Sequence, residues 1–216
     1  MKIDLFAGKL RVYLITDGEI TAGNFAEKSV ETLNLLKQAV NAEISLIQIR
    51  EKQLSAKLLF EMALQAADIT KNSATKLLIN DRADIALAAN ADGVHLTANS
   101  LSAEIIRAGF PENFIIGVSV HSLEKAREAK KQGADFATFS PIFDSPNKGK
   151  TVGLNALREV CAKLKLFPII ALGGINETNY REVLRVADCF AAIRFLNNAE
   201  NLRKLKNESL LDHCRA

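Results

Sequence analysis

The chain has 216 residues, 48% of them apolar and 25% charged, with a formal net charge of +3. These are the proportions of an ordinary soluble globular protein, and Lys and Arg are spread along the chain, so a basic face for nucleic acid is not expected. The N-terminus carries no basic segment followed by an apolar run of signal length, and no apolar stretch nears about 18 residues, so neither a membrane span nor a leader is expected. Three scattered cysteines (Cys161, Cys189, Cys214) without CxxC spacing suit a reducing compartment. Cys161 falls in a helical pattern and Cys189 beside a strand, as small buried hydrophobes do. A cytoplasmic protein of one domain, spanning 1–216, is the expectation.

In chain order, short apolar runs alternate with helical patterns. The run 12–15 leads into Thr16-Asp17 and the run 46–49 into Arg50-Glu51-Lys52. The second run is almost wholly apolar, as a strand buried on both faces is. Ser55 is placed to cap a helix whose apolar positions Leu58, Leu59, Met62, Ala63 and Ala66 follow helical spacing. A strand at 76–79 follows, running into Asn80-Asp81-Arg82, then a short helix at 83–89 and a strand at 93–96 that carries His95. Next come a helix near 101–108 and a strand at 114–118 leading to Ser119 and His121. Ser122 is placed to cap a helix that runs to Lys131 and stops at Gly133. Strands at 136–139 and 168–172 flank a helix at 154–164. A helix at 177–186 and a strand near 190–195 ending about Arg194 complete the series, and Arg203, Lys204 and Lys206 beyond it read as a solvated helix face.

Strands alternating with helices of this length imply right-handed βαβ units and a parallel sheet. Eight such units favour an α/β fold of one closed (β/α)8 TIM barrel. A dinucleotide-binding doubly wound sheet would place GxGxxG after its first strand, where this chain has Thr16-Asp17-Gly18. In a (β/α)8 barrel the polar residues at the carboxyl ends of the strands converge on one rim, where active sites sit.

Gln48 and Arg50 alternate onto one side of a strand, with Lys52 just past its end. Two cations and an amide suit a multiply charged phosphate, although Arg50 can equally pair with Asp17 or Asp81. Asn80-Asp81 adds an amide and a carboxylate. Beside phosphate a carboxylate binds Mg2+, and before a helix it serves as an N-cap; Asp81 suits both roles. Gly173-Gly174 either lets backbone N–H groups approach an anion or makes a plain tight turn. His95 on its strand reads as a satisfied core residue, whereas His121, past a strand end, stands where a general base would. His213 lies in the tail, and three isolated histidines do not make a zinc site. The connection running from Ser140 to Lys150 is long for its class, and its Ser145, Asn147 and Lys148 either close over a phosphate or lie solvated.

Gln48-x-Arg50-x-Lys52, Asn80-Asp81-Arg82, Ala91-Asp92-Gly93-Val94-His95-Leu96, Gly117-Val118-Ser119-x-His121, Ser140-Pro141-Ile142-Phe143 leading to Lys148, and Gly173-Gly174-Ile175 occur in that order. Together they resemble the thiamine phosphate synthase/TenI family over about 11–195. The resemblance implies a (β/α)8 barrel that joins hydroxymethylpyrimidine diphosphate to thiazole phosphate with Mg2+, releasing diphosphate. It further implies a pyrimidine carbocation captured by the thiazole nitrogen. Carried over residue by residue, Arg50, Lys52, Asn80, Ser119 and Lys148 hold diphosphate, and Asp81 binds Mg2+. Gln48 contacts the pyrimidine, and Gly174 lies at the thiazole phosphate.

The chain departs from that pattern in three places. The synthases usually continue the His-Leu pair with Gly-Gln-x-Asp, and that Asp is a second Mg2+ carboxylate. Here Thr97-Ala98-Asn99-Ser100 puts a serine in its place. Ser145 keeps one of two usual loop hydroxyls while Asn147 replaces the other, and Ala192-Ile193-Arg194 stands where Val-x-Ser is common. TenI-like thiazole tautomerases, metal-independent isomerases with a histidine at the position of His121, are the alternative, followed by a barrel that binds a precursor without turnover. Retention of Lys52 and Asp81 favours the synthase. A homo-oligomer is compatible with this composition.

Overall fold

The computed structural model describes residues 5–6, 10–145 and 149–213. Eight parallel strands follow chain order around a closed barrel, each followed by a helix: the fold is the (β/α)8 barrel expected. The chain divides into two compact units, one running to Asp92 and resuming at Ile193, the other Gly93–Ala192.

The first unit holds β1 (Leu10–Ile15), α1 (Phe25–Asn41), β2 (Ile44–Ile49), α2 (Ala56–Thr70), β3 (Lys76–Asn80), α3 (Ala83–Ala88) and α8 (Ala199–His213). Leu46, Ile47 and Ile49 of β2 are wholly buried, and so are Leu77, Leu78 and Ile79 of β3. Sequestering each such side chain stabilises the fold by roughly 1.5–3 kcal/mol, which is why strands with two covered faces read as unbroken apolar runs. The register sets Ile15 beside Gln48 and Ile49 beside Ile79, so the chain leaves β2 at Arg50 next to where it leaves β3. Ser55 caps α2 as expected, its hydroxyl accepting from Leu58 N at 3.3 Å. On α8, Lys204 lies 3.6 Å from Glu200, and Arg203 and Lys204 are exposed, as a solvated basic face requires.

The second unit holds β4 (Gly93–Leu96), α4 (Ala103–Gly109), β5 (Ile115–Val120), α5 (Leu123–Lys131), β6 (Phe136–Phe139), α6 (Gly153–Lys163), β7 (Ile169–Leu172), α7 (Tyr180–Leu184) and β8 (Cys189–Ala192). Ser122 caps α5 through Lys125 N at 3.2 Å. Two helices begin later than their patterns suggest. Ser102 caps α4, so Leu101 falls outside it and is 60% exposed. Before α7, the Asn176 carboxamide accepts from Thr178 N and the Asn179 carboxamide from Asn176 N, each at 2.9 Å. Side-chain acceptors there replace the first helical turn.

At their amino ends the strands are tied by a recurring device. Asp92 precedes β4 and its carboxylate accepts from Leu77 N (2.8 Å) and Lys76 Nζ (3.0 Å). Asp135 precedes β6 and accepts from Ile116 N and Arg107 Nη2, both at 2.7 Å. Ala-Asp stands before β4, β6 and β8 alike, at Asp92, Asp135 and Asp188.

Candidate active site

At the carboxyl ends of β2 and β3 four side chains form one directed chain of hydrogen bonds. The Tyr13 hydroxyl donates to Gln48 Oε1 (3.2 Å), Gln48 Nε2 to Asn80 Oδ1 (3.1 Å), and Asn80 Nδ2 to Asp81 Oδ2 (2.9 Å). Tyr13 and Gln48 are 0% and 1% exposed and Asn80 8%, so the amides are held rather than free to rotate in water. Asp81 adopts the left-handed region at φ 57°, which Asp tolerates better than most residues and which recurs at functional sites. Its helix-cap role is overturned: Arg82 occupies the N-cap position of α3, and the Asp81 carboxylate takes the Asn80 amide instead.

Arg50 and Glu51 follow β2 with opposite fates. Arg50 N donates to the buried Thr16 hydroxyl (2.8 Å), which fixes the backbone, while its guanidinium forms no ion pair among the described residues. Pairing with Asp17 or Asp81 is therefore corrected. Glu51 is 3% exposed and accepts from Ile20 N (3.0 Å) and Gly18 N (3.3 Å), tying the β1–α1 loop to β2. Burial raises its carboxyl pKa, against the pull of the hydrogen bonds from Thr16, Ile20 and Gly18. Lys52, Asn80, Asp81 and Arg82 line a cavity of ≈ 220 Å³, in which Arg82 is already engaged by Asp84 at 2.6 Å. The structure thus brings together Lys52, Asn80 and Asp81, the first-unit residues expected at a phosphate-bearing ligand, and supports Asn80 from behind with Gln48.

In the second unit, Ser119 and His121 leave the end of β5 and line a cavity of ≈ 310 Å³ with Thr97, Ser100 and Lys125. His95 is buried as a core histidine, yet its Nε2 lies 2.9 Å from Ser119 Oγ, with Thr138 Oγ1 at 3.4 Å from both. His121 Nδ1 lies 2.7 Å from the Ser140 carbonyl oxygen. A carbonyl only accepts, so Nδ1 carries a proton and donates it there. Ser100 turns its hydroxyl back to its own loop, accepting from Thr97 N at 2.6 Å.

Gly173 and Gly174 have φ of 103° and 67°, and a Cβ on either would meet the chain that leaves β6. It would lie 2.7 Å from Pro141 Cα at Gly173 and 2.5 Å from the Asp144 carbonyl oxygen at Gly174. Ile142 N and Phe143 N donate to the carbonyls of Leu172 and Gly173, both at 3.0 Å, which makes that approach a continued pairing. Close packing and a turn thus account for both glycines. Ser145 is half-buried at the edge of this loop. Asn147 and Lys148 lie outside the described residues.

Sequence inspection passed over Tyr13, Thr16 and the partnership of His95 with Ser119. For Tyr13 the available signal was its place two residues before a strand end, where a period of two turns it to the same side as Ile15, the register partner of Gln48. Among the described residues no helix is long and apolar enough to cross a membrane.

A closed parallel barrel with two cations and an amide–carboxylate pair at its strand ends has the make-up of a (β/α)8-barrel enzyme. The chain belongs to the thiamine monophosphate synthase family, whose model matches residues 12–196. It is 34% identical to the thiamine-phosphate synthase of Clostridium tetani over 200 residues, covering 91% of this chain and 92% of that protein. It is also 34% identical to that of Pyrococcus furiosus over 203 residues, covering 93% of each. The solved structure of thiamine phosphate pyrophosphorylase from Pyrococcus furiosus superimposes with a TM-score of 0.77 at 32% identity, covering 94% of this chain and 98% of that one.

Proposed function

We infer that the chain is a transferase of thiamine biosynthesis that joins hydroxymethylpyrimidine diphosphate to thiazole phosphate and releases diphosphate. The observation that carries this is the end of β2: the Arg50 guanidinium has no carboxylate partner among the described residues, and Lys52 opens onto the cavity that Asn80 and Asp81 line. A planar guanidinium engages two phosphate oxygens at once and an ammonium acts as a point charge, so the pair suits a leaving diphosphate whose negative charge grows as its bond breaks. Asn80, held by Gln48, offers its remaining amide N–H to the same anion, and Gln48 has one N–H left to address the pyrimidine.

In the second unit Ser119, steadied by His95, and His121 supply a hydroxyl and an imidazole for the phosphorylated substrates. Gly173, Gly174, Ser145, Asn147 and Lys148 are assigned to phosphate binding on the family pattern.

Mg2+ suits the donor set of the first unit. This ion needs only one or two carboxylates when phosphate oxygens complete its octahedron, and Asp81 is a carboxylate aimed by a neighbouring amide. When bound, it neutralises charge on the departing diphosphate. We take residues 1–216 as one functional domain working in the cytoplasm.

The purified chain, incubated with both substrates and Mg2+, is expected to form thiamine phosphate, and a chelator is expected to stop it. No product above a protein-free control overturns the assignment.

A further inference from the structure

We propose that Tyr13 is a positioning residue that anchors the inner end of the hydrogen-bonded amides at the ends of β2 and β3, whose donor direction the Asp81 carboxylate sets. The proposal deepens the transferase reading and rests on it for the identity of the ligand. The direction of the chain follows from its far end. An ionised Asp81 carboxylate only accepts, so the group of Asn80 facing it at 2.9 Å is the NH2. Asn80 Oδ1 then faces Gln48, the facing group of Gln48 is its NH2, and Gln48 Oε1 is left toward Tyr13, whose hydroxyl donates. Reversing Asn80 sets acceptor against acceptor at Asp81 and donor against donor at Gln48, and reversing Gln48 sets its oxygen against that of Asn80.

Among the described residues Gln48 Oε1 has the Tyr13 hydroxyl as its donor, on a side chain with 0% exposure. Each amide spends one N–H inside the chain and keeps one. The two remaining N–H groups are therefore held between the Asp81 carboxylate and Tyr13, a residue with no need to touch substrate. They suit a ligand that presents acceptors to both strand ends, such as an anionic oxygen beside a ring nitrogen. Without the hydroxyl, Gln48 Oε1 loses its donor, the Gln48 amide is free to swing away from Asn80, and the N–H pair is presented only part of the time.

Tyr13→Phe keeps the ring and removes only the donor. In the 15N-labelled chain the side-chain NH2 signals of both Gln48 and Asn80 should move, although Tyr13 touches only Gln48. Turnover should show kcat/KM lowered by about tenfold, the effect of one hydrogen bond to a positioned group. On an Asn80→Ala background the same change should cost less than about twofold, because the last amide is already gone. A second variant, Gln48→Glu, keeps the acceptor for Tyr13 and abolishes the donor to Asn80, so it should move the Asn80 signals if Tyr13→Phe does not fold. Unmoved Asn80 signals in the folded variants overturn the proposal, and so does a full tenfold loss repeated on Asn80→Ala. If the unaltered chain turns nothing over, the transferase assignment fails and the amide signals alone decide the role of Tyr13.

Discussion

Arg107 and Arg50 are both arginines at the ends of strands, and their surroundings differ in every respect. Arg107 sits at the amino end of β5 and spends all five of its N–H donors. Nε goes to Gly133 O, Nη1 to Glu112 O and Phe114 O, and Nη2 to Gly133 O and Asp135 Oδ2, at 2.7–3.3 Å. Arg50 follows the carboxyl end of β2 and, among the described residues, its guanidinium has no ion pair. Lys76 and Lys52 repeat the contrast at the two ends of adjacent strands, the first 3.0 Å from Asp92, the second lining an open cavity. Cations at the amino ends complete the fold. At the carboxyl ends Arg82 is paired with Asp84, whereas Arg50 and Lys52 have no carboxylate partner among the described residues, as the proposed phosphate-binding role requires.

The largest effect that can break this contrast is on turnover. Arg50→Ala and Lys52→Ala should each lower kcat/KM by about 10²–10³, the range seen when one preorganised donor to a developing anion is removed. Neither should shift the melting temperature by more than about 2 °C, since a side chain with no ion-pair partner among the described residues takes little away on leaving the fold. Steady-state kinetics beside calorimetry decides this. A large melting shift at Arg50 would make it a second Arg107.

Asp135→Ala tests the opposite end. It strands the Arg107 Nη2 donor and the Ile116 N–H, each left without its acceptor in a half-buried setting. The cost should be about 3 kcal/mol of unfolding free energy, with a melting temperature lower by roughly 10 °C, while kcat of the folded enzyme stays unchanged. Denaturant titration and kinetics on one preparation measure both. A loss of kcat without a loss of stability would place function at the amino ends as well.

How much of this was legible in the chain follows from the range of each interaction. The barrel was, because a strand covered on both faces is almost wholly apolar, as 46–49 is but for Gln48, and because caps such as Ser55 and Ser122 act on residues three positions away. The cationic strand end was also visible, since Arg50 and Lys52 stand two positions apart in sequence. Helix α1 went unassigned: its buried positions Ser29, Leu33, Leu36 and Ala39 make a thin stripe beside exposed Val30. The Arg107–Gly133 and Tyr13–Gln48 contacts could not be read, because those partners lie 26 and 35 residues apart and meet only through the register of the sheet. The repeated Ala-Asp before β4, β6 and β8 was readable as a dipeptide. Its purpose, an acceptor for the backbone N–H of the preceding strand at β4 and β6, was not.

The smallest effect concerns Glu51, which lies between Arg50 and Lys52 in sequence yet behaves as the amino-end carboxylates do. It gives its oxygens to Gly18 N and Ile20 N, so it is a fold residue set inside a binding segment. Its case also differs from that of Asp92 and Asp135, which are matched by cations, because burial raises its pKa above the ordinary value of 4.5. A carboxyl whose pKa is higher in the folded chain holds its proton longer there than in the unfolded chain. Its contribution to stability is fully present below about pH 4.5 and declines as pH rises through the raised folded value. Glu51→Gln carries no charge at any pH and removes that decline, while its single side-chain oxygen must serve the two N–H groups the carboxylate now serves. The unfolding free energy of the wild type minus that of Glu51→Gln, followed by urea titration across a pH series, should therefore fall as pH rises through that window. A difference that grows with pH would mean that the hydrogen bonds from Gly18, Ile20 and Thr16 outweigh burial. Glu51 would then be a carboxylate the fold prefers ionised.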